Sequence, residues 1–522
     1  MNDEVRETFH LEGVSDHEVI RIVADFGDAA AGFDNIPMKV IKKVIHEIVN
    51  PLTHIFNCSL LTGIFPDKLK ISRVRPIFKK GSKYNMNNYR PISILPAFSK
   101  ILEKLIYVRL DNFLKINNVI SNSQYGFRKE RSTTAAILSL SDHILKSFDA
   151  KEFTMGVFLD LSKAFDCVNH DILVRKLKFY GIRDTPIKLL ISYLTQRQQY
   201  TCISDQLSLP SILTHSVPQG SILGPLLFNI YINDIVNKPS KMKATLFADD
   251  SCFYFTHKDP FELVNIVNTD LVEISKWLVS NKLTLNINKS HCILFNRKLN
   301  VPSNLPDIKI NNLNFNLLSN TTFLGLIIQS NLKWNLHIES VKNKLNKYSA
   351  IIYQIRHSLD NNSLKLIYNS LVYPCLNYGN IIWGNSPAQY IKRLIITQKR
   401  IIRNMKFRSR YFHTNNDFYN LGILKFNDIN TYFNSIFAYK TLNRLQQPYN
   451  YFRTVNDTNL HALRNSADLR PPQVHSSQSQ TSPSYYCCLI WNNIPNTIRS
   501  KPSVASFKFA MKKYLLEQYA QV

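Results

Sequence analysis

Ala244-Thr245-Leu246-Phe247-Ala248-Asp249-Asp250-Ser251-Cys252-Phe253-Tyr254-Phe255 is the stretch that decides the fold. It reads as two short apolar strands, Ala244 to Phe247 and Ser251 to Phe255, joined by a tip that carries two adjacent carboxylates. Charges at the tip of a hairpin between apolar strands are out of place unless they are paired or hold a cation, although an ordinary Asp-rich turn is the alternative for this segment alone. Working outward, Gly156-Val157-Phe158-Leu159-Asp160-Leu161 is a buried strand that ends in another carboxylate. Ser221 to Asn237 reads as an apolar helix with Pro225 early in it, where its missing N–H does least harm. Leu263, Val267, Leu271, Ile274 and Leu278 recur at helical spacing, and Leu283 to Ile287 and Cys292 to Phe295 read as short strands. Strand, helix, hairpin, helix, strand is the ferredoxin-like βαββαβ order of an α+β protein, an antiparallel sheet backed by helices. That fold hosts many functions and identifies none of them.

Farther out, Arg73 to Phe78 and Tyr89 to Leu95 form a hairpin with a basic polar tip. Ser15 and Glu18 have the spacing of a capping box before a first helix, and Met38 to Val49 reads as a second. Beyond about residue 335 the chain turns helical and basic. Asn465 to Pro483 has the composition of a flexible linker, and Val504 to Tyr519 that of a terminal amphipathic helix.

The 522 residues exceed one ordinary core. A net charge of +27 favours a polyanionic partner, nucleic acid or an acidic membrane surface. Residues 1–70 hold 7 Lys/Arg against 11 Asp/Glu, whereas residues 331–522 hold 25 against 7. From Lys333 to Arg410 there are 14 basic residues and 2 acidic ones, interleaved with Trp334, Tyr348, Tyr353 and Tyr368. Such a one-sided run fits a groove that tracks a nucleic-acid backbone better than a solubilising surface. No apolar run reaches the length of a membrane span and the first residues lack a signal-peptide pattern, so no membrane partner is expected. Eight cysteines without framework spacing point to a reducing compartment, nucleus or cytoplasm, and not to secretion.

Carboxylates at strand ends suit phosphoryl transfer, which needs divalent ions bridging the reacting phosphate and acidic side chains to hold them. Adjacent strand residues point to opposite faces, so Asp249 is expected as the principal ligand and Asp250 as the auxiliary one.

Phe247-Ala248-Asp249-Asp250 resembles the aromatic-Ala-Asp-Asp box of reverse transcriptases, in the Phe form frequent among non-LTR retrotransposons. The other boxes of that family stand in order around it. Phe158 to Asp166 (Phe-Leu-Asp-Leu-Ser-Lys-Ala-Phe-Asp) resembles the first catalytic box, and Val217 to Pro225 (Val-Pro-Gln-Gly-Ser-Ile-Leu-Gly-Pro) the template and nucleotide box. Leu285 to Ser290 resembles the lysine box, and Phe323-Leu324-Gly325 the primer-grip turn. Upstream, Arg75 to Gly81, Asn88 to Ser93 and Gln124 to Arg128 resemble the fingers segments. The likeness is close from Lys70 to Ile338 and looser on the flanks.

The resemblance implies a right-hand polymerase with fingers, a ferredoxin-like palm, a helical basic thumb and a C-terminal extension. It divides the chain into a helical lead-in (1–59), fingers and palm (60–330), basic thumb or connector (331–463), flexible linker (464–484) and element tail (485–522). It implies RNA-directed DNA synthesis from a primer 3′-hydroxyl with two Mg²⁺ ions, Mn²⁺ being a possible substitute, on Asp160, Asp249 and Asp250. Lys79 and Arg90 would grip the triphosphate, with Lys80 competing for the role of Lys79. Gln219 and Gly220 would shape the nucleotide site, and Phe165, otherwise a core aromatic, would exclude a 2′-hydroxyl. Lys289 would serve the leaving pyrophosphate or be a plain loop lysine. Asp166 is expected to order its turn, not to bind metal, and Lys163 stands where some relatives have a carboxylate. The implied partners are RNA template, DNA primer or target, RNA–DNA hybrid and dNTPs. Seventy leading residues leave no room for an endonuclease, so a separate activity would be needed to nick target DNA. The rival readings are a group II intron maturase-like splicing cofactor and a catalytically silent relic that only binds nucleic acid.

Overall fold

The computed structural model describes residues 5–204, 206–297, 301–310, 313–455 and 468–519. The chain opens with α1 (Asp16–Asp25), whose first turn is capped by the Ser15 hydroxyl accepting from the Glu18 N–H at 3.3 Å, and α2 (Met38–Thr62). Helix α2 runs past Val49 and through Pro51, because Leu52, Phe56 and Leu60 continue its buried stripe. Strands β1 (Ile71–Phe78) and β2 (Tyr89–Ile94) pair antiparallel from Arg73↔Ile94 to Phe78↔Tyr89, making the expected hairpin. Helices α3 (Ala97–Ile116) and α4 (Thr133–Asp149) lead into β3 (Phe153–Asp160). Helices α5 (His170–Phe179) and α6 (Asp184–Leu194) follow, then β4 (Arg197–Ile203), which lies parallel to β1.

Helix α7 spans Gly224–Ile232, then β5 (Lys243–Phe247) and β6 (Asp250–His257) form the carboxylate-tipped hairpin, followed by α8 (Pro260–Ser280) and β7 (His291–Phe295). Counted as the four strands of a βαββαβ unit, β3, β5, β6 and β7 lie in the order β7-β3-β6-β5 with every neighbour antiparallel. This is the ferredoxin-like arrangement, with the two-residue strand Asn316–Leu317 added parallel to β7.

Alternation along the strands buries both faces of this sheet. Met155, Val157, Leu159, Cys292 and Leu294 enter one apolar core with α1–α3 and α5–α8. Phe158, Cys252, Tyr254, Ile293 and Phe295 enter a second core, shared with α4 and the helical half of the chain. That half begins after the hairpin β8 (Asn320–Phe323) and β9 (Leu326–Gln329). It contains α9 (Asn335–Ile355), α10 (Ala388–Met405), α11 (Phe426–Leu442), α12 (Pro483–Asn492) and α13 (Val504–Glu517).

Three local readings differ from the structure. The apolar helix expected from Ser221 begins at Gly224 and passes into a 3₁₀ turn over Asn233–Asn237. Ser221 instead belongs to the turn before it, its N–H donating to the Pro218 carbonyl at 3.1 Å and its hydroxyl accepting from the Gly224 N–H at 3.0 Å, while Glu103 of α3 accepts from the Ile222 and Leu223 N–H groups at 2.8 and 3.2 Å. Leu283 to Ile287 is a loop with a single bridge, Leu285 to Leu161, since its polar groups bond to the end of β3. The segment expected as a flexible linker is packed from Asp468 onward, its residues 464–467 lying outside the described ones. Leu469 is buried, Ser476, Ser479 and Ser482 are buried, and the Gln478 amide donates to the Asn331 carbonyl. Its serines act as local caps, the Ser476 hydroxyl accepting from the Ser479 N–H at 3.0 Å. Among the described residues no helix is long and apolar enough to cross a membrane.

A buried carboxyl marks the seam between α4 and the helical half. Asp142 accepts from the Tyr451 hydroxyl at 2.5 Å, and burial pushes its pKa up to about 7 against the opposing influence of that bond and of Lys146. The folded protein therefore retains a proton that the unfolded chain has released above the ordinary Asp value. This penalty on folding is absent in acid and grows as pH rises, reaching its full size above about 7. Asp142→Asn removes it. Unfolding free energies of the variant and the native protein should agree near pH 4 and differ by on the order of 2–4 kcal/mol in the variant's favour at pH 8. A pH-independent difference would contradict the assignment.

Candidate active site

The end of the central sheet is where the chain's carboxylates meet. Asp160 closes β3 and Asp250 opens β6, and the two are direct cross-strand partners. They continue the row that holds Phe158 and Cys252, so both lie on the face of the second core, past the point where apolar cover stops. Ala248 and Asp249 are the two loop residues of the β5–β6 hairpin, with Phe247↔Asp250 as its last pair. Ala248 has a φ of 56°, the left-handed geometry that the first position of a tight hairpin loop requires. Asp249 and Asp250 are open to solvent yet ringed by protein atoms. That crowding, followed by the negative charge of the neighbouring carboxylates, raises Asp249 above the ordinary range and Asp250 to about 6. Lys79 and Arg90, from the β1–β2 hairpin, oppose the shift at Asp249, and Lys79 opposes it at Asp250.

The loop after α8 wraps the end of β3. The Asn286 N–H donates to the Asp160 carbonyl at 2.8 Å, and the Ser290 hydroxyl accepts from the Asp160 N–H at 3.0 Å. Lys289 is thereby brought to 3.4 Å from the Asp160 carboxylate, with both side chains partly exposed. The loop after β3 bends through Lys163, at φ 48°, whose ammonium reaches Asn87 in the hairpin tip at 3.3 Å. Phe165 follows, half-buried, stacked on Phe228 of α7 at 4.4 Å and edge-on to Phe127 at 6.3 Å.

The Pro218-Gln219-Gly220 turn is pinned from three sides. Its Gln219 carbonyl accepts from the Ser93 N–H at 2.8 Å, the Gln219 amide donates to Asp166 at 2.9 Å, and Glu103 holds the next N–H groups. The Asp166 carboxylate thus ties its own loop to the Gln219 turn, and burial raises its carboxyl. Glu103 is fully buried and was not legible as part of the site; its only signal is an acid set in the apolar stripe of α3 beside Leu102 and Ile106. Burial raises this carboxyl too, opposed by the Arg197 charge and by the Leu223 and Ile222 N–H groups. The Phe323-Leu324-Gly325 turn also arrives on the carboxylate face. Phe323 packs edge-on against Phe158 at 5.3 Å, and the Leu324 carbonyl accepts from the Tyr378 hydroxyl at 2.6 Å.

Crowded like charges on an uncovered face suit a divalent cation. Among the described residues no group of three or more His, Cys, Asp or Glu side chains is gathered closely enough to hold a metal ion by itself. An ion here would complete its shell with water or phosphate oxygens, as magnesium does at one or two carboxylates.

Residues 77–328 match the family model described as reverse transcriptase (RNA-dependent DNA polymerase). This segment is a reverse transcriptase domain. The chain is 28% identical over 396 residues to a probable RNA-directed DNA polymerase from transposon X-element of Drosophila melanogaster, covering 73% of this chain and 42% of that protein. It is equally close, 28% over 392 residues, to the corresponding protein from transposon BS of the same organism, with 71% and 42% covered. The RNA-directed DNA polymerase from mobile element jockey of Drosophila melanogaster is 26% identical over 435 residues, covering 80% of this chain and 46% of that protein. The resemblance to non-LTR retrotransposon reverse transcriptases therefore holds, and the chain spans less than half the length of these relatives. The domain is a polymerase fold of mixed helices and sheets, and its boxes converge on one surface of it.

Gly220 shows how tightly that convergence is built. Its φ is 119°, and a Cβ there would meet the Ser93 carbonyl oxygen at 2.5 Å. Gly220→Ala should cost roughly 2–4 kcal/mol in urea denaturation, from positive-φ strain and backbone collision together. A cost below about 0.5 kcal/mol would show that the loop does not rest on β2 as described.

Proposed function

We propose that this chain is the polymerase of a non-LTR retrotransposon, an RNA-directed DNA polymerase that extends a primer 3′-hydroxyl on an RNA template. The observation that carries the reading is the meeting of Asp160, Asp249 and Asp250 at one sheet end, opposite the Lys79 and Arg90 hairpin and within a reverse transcriptase domain. The β3/β5–β7 sheet serves as palm, the β1–β2 hairpin as fingers, and α9 with the helices after it as a basic thumb and extension.

Asp160, Asp249 and Asp250 hold Mg²⁺, with Mn²⁺ as a substitute. Two bound ions would neutralise the reacting phosphate and favour attack by the primer oxygen. Lys79 and Arg90 bind the triphosphate of the incoming dNTP from the fingers side. Gln219 and Gly220 let backbone approach the nucleotide, and Phe165, rigidly stacked on Phe228, closes the space a ribose 2′-hydroxyl would need. Lys289, kept beside Asp160, is placed to hand a proton to the departing pyrophosphate. The Phe323–Gly325 turn supports the primer end. Exposed Lys344 and Lys347 of α9, and Lys392, Arg393 and Arg400 of α10, which packs against it, track the backbone of the RNA–DNA hybrid.

Asp160→Asn and Asp249→Asn should each lower primer extension at least about a thousandfold while the far-ultraviolet circular dichroism stays native. Near-native extension by Asp160→Asn would remove it from the site. The ratio of kcat/KM for dCTP over CTP on one RNA template should be large for the native protein. Phe165→Ala should shrink it by about a hundredfold with modest loss of dCTP use; a ratio that ignores the substitution would show that Phe165 is only a packing residue.

A further inference from the structure

The segment Ser123–Gly126 runs beside β5 and ends against the carboxylate turn. The Tyr125 N–H donates to the Leu246 carbonyl at 2.8 Å, and the Leu246 N–H to the Ser123 carbonyl at 2.9 Å. These bonds bring Gln124, 1% exposed, under the hairpin loop. Its side-chain Oε1 accepts from the Gly126 N–H at 2.8 Å and from the Ala248 N–H at 3.2 Å.

The second bond is the informative one. Ala248 occupies a left-handed position usually given to glycine, and it is buried. A strained turn of this kind persists only where its surroundings over-determine it. Gln124 supplies an acceptor to the strained residue's own N–H, one residue before Asp249. Gly126 completes the clamp, since a Cβ there would meet the Ala248 nitrogen at 2.4 Å. From the other side, the Asn229 amide of α7 donates to the Gly126 carbonyl at 2.9 Å. One hydrogen-bonded line therefore joins the helix behind the Gln219–Gly220 turn to the turn that presents Asp249.

Packing alone does not account for this glutamine. Its Nε2 is buried with no partner among the described residues, and the same holds for Oδ1 of Asn229. An apolar side chain of equal size would fill the space without stranding a donor, so the function of Gln124 resides in what its oxygen holds.

We infer that Gln124 is a positioning residue: it fixes the Ala248–Asp249 turn so that the Asp249 carboxylate is set for a divalent ion before substrate arrives. The inference rests on the reading of Asp249 as a metal ligand, and the test separates the two. Mn²⁺ is titrated into the full chain and followed by electron paramagnetic resonance, for the native protein and for Gln124→Met, Gln124→Asn, Gln124→Glu and Asp249→Asn. Thermal stability and metal-free binding of an RNA–DNA hybrid are measured alongside. Gln124→Met and Gln124→Asn, which take the oxygen away from the turn, should weaken Mn²⁺ binding about tenfold in a protein that still folds, with a lower melting temperature from the two stranded N–H groups and little change in hybrid affinity. Gln124→Glu, which holds its proton when buried and offers the same oxygen, should stay within about threefold of native. If one of the first two variants fails to fold, the other decides. Native Mn²⁺ affinity in a folded Met or Asn variant, with Asp249→Asn weakened, overturns the role of Gln124 and leaves the metal reading standing. Loss of fold in both, or weakening that Gln124→Glu does not rescue, overturns it in favour of an ordinary packing role. Unaltered binding in Asp249→Asn overturns the metal reading and the inference with it.

Discussion

Asp160 and Asp250 face each other across neighbouring antiparallel strands, and like charges in that relation repel. The sheet tolerates the pair because the rest of the same row is apolar and covered. Phe158, Cys252 and Tyr254 anchor it in the second core, while Met155, Val157 and Leu159 anchor the opposite face in the first. A ladder buried on both sides cannot slip by a residue without exposing its whole apolar set. The register that buries the strands is therefore the register that crowds the carboxylates.

The surroundings supply what such a cluster lacks. Positive charge comes from remote segments, Lys79 and Arg90 from one hairpin and Lys289 from the loop that wraps β3. Each is held by backbone bonds to a rigid element, so cationic groups border the carboxylates without saturating them. The Gln219–Gly220 turn is treated the same way, with Ser93 and Asp166 each taking one polar group of Gln219 and Glu103 taking the Ile222 and Leu223 N–H groups just beyond it. Loops that carry function here are short of freedom, because sheet and helix ends dictate where they begin and end.

Much of this was readable from residue types. Carboxylates at the ends of apolar strands pointed to the candidate site, and the order of strands and helices announced the ferredoxin-like sheet. What escaped depends on contacts distant in sequence. Nothing near Ser221 signals that Glu103, more than a hundred residues earlier, accepts from the Ile222 and Leu223 N–H groups ahead of α7. Leu283 to Ile287 has the composition of a strand, but its own Thr284 and Asn286, with Ser290 just beyond, serve the end of β3 and the turn after it. The Ser-rich stretch after Asp468 looked like a linker because serine hydroxyls that cap turns and serine hydroxyls that meet water have the same composition. The β-strand alternation that places Asp250 beside Asp160 was likewise out of reach until the pairing register was known.

The most direct test of the account is primer extension by the purified chain on an RNA template with dNTPs and Mg²⁺. An RNA-directed DNA polymerase built on these carboxylates yields a DNA product that lengthens with time, disappears when the divalent ion is chelated, and returns when Mg²⁺ or Mn²⁺ is restored. A folded protein that binds the RNA–DNA hybrid yet adds no nucleotide with either ion would contradict it.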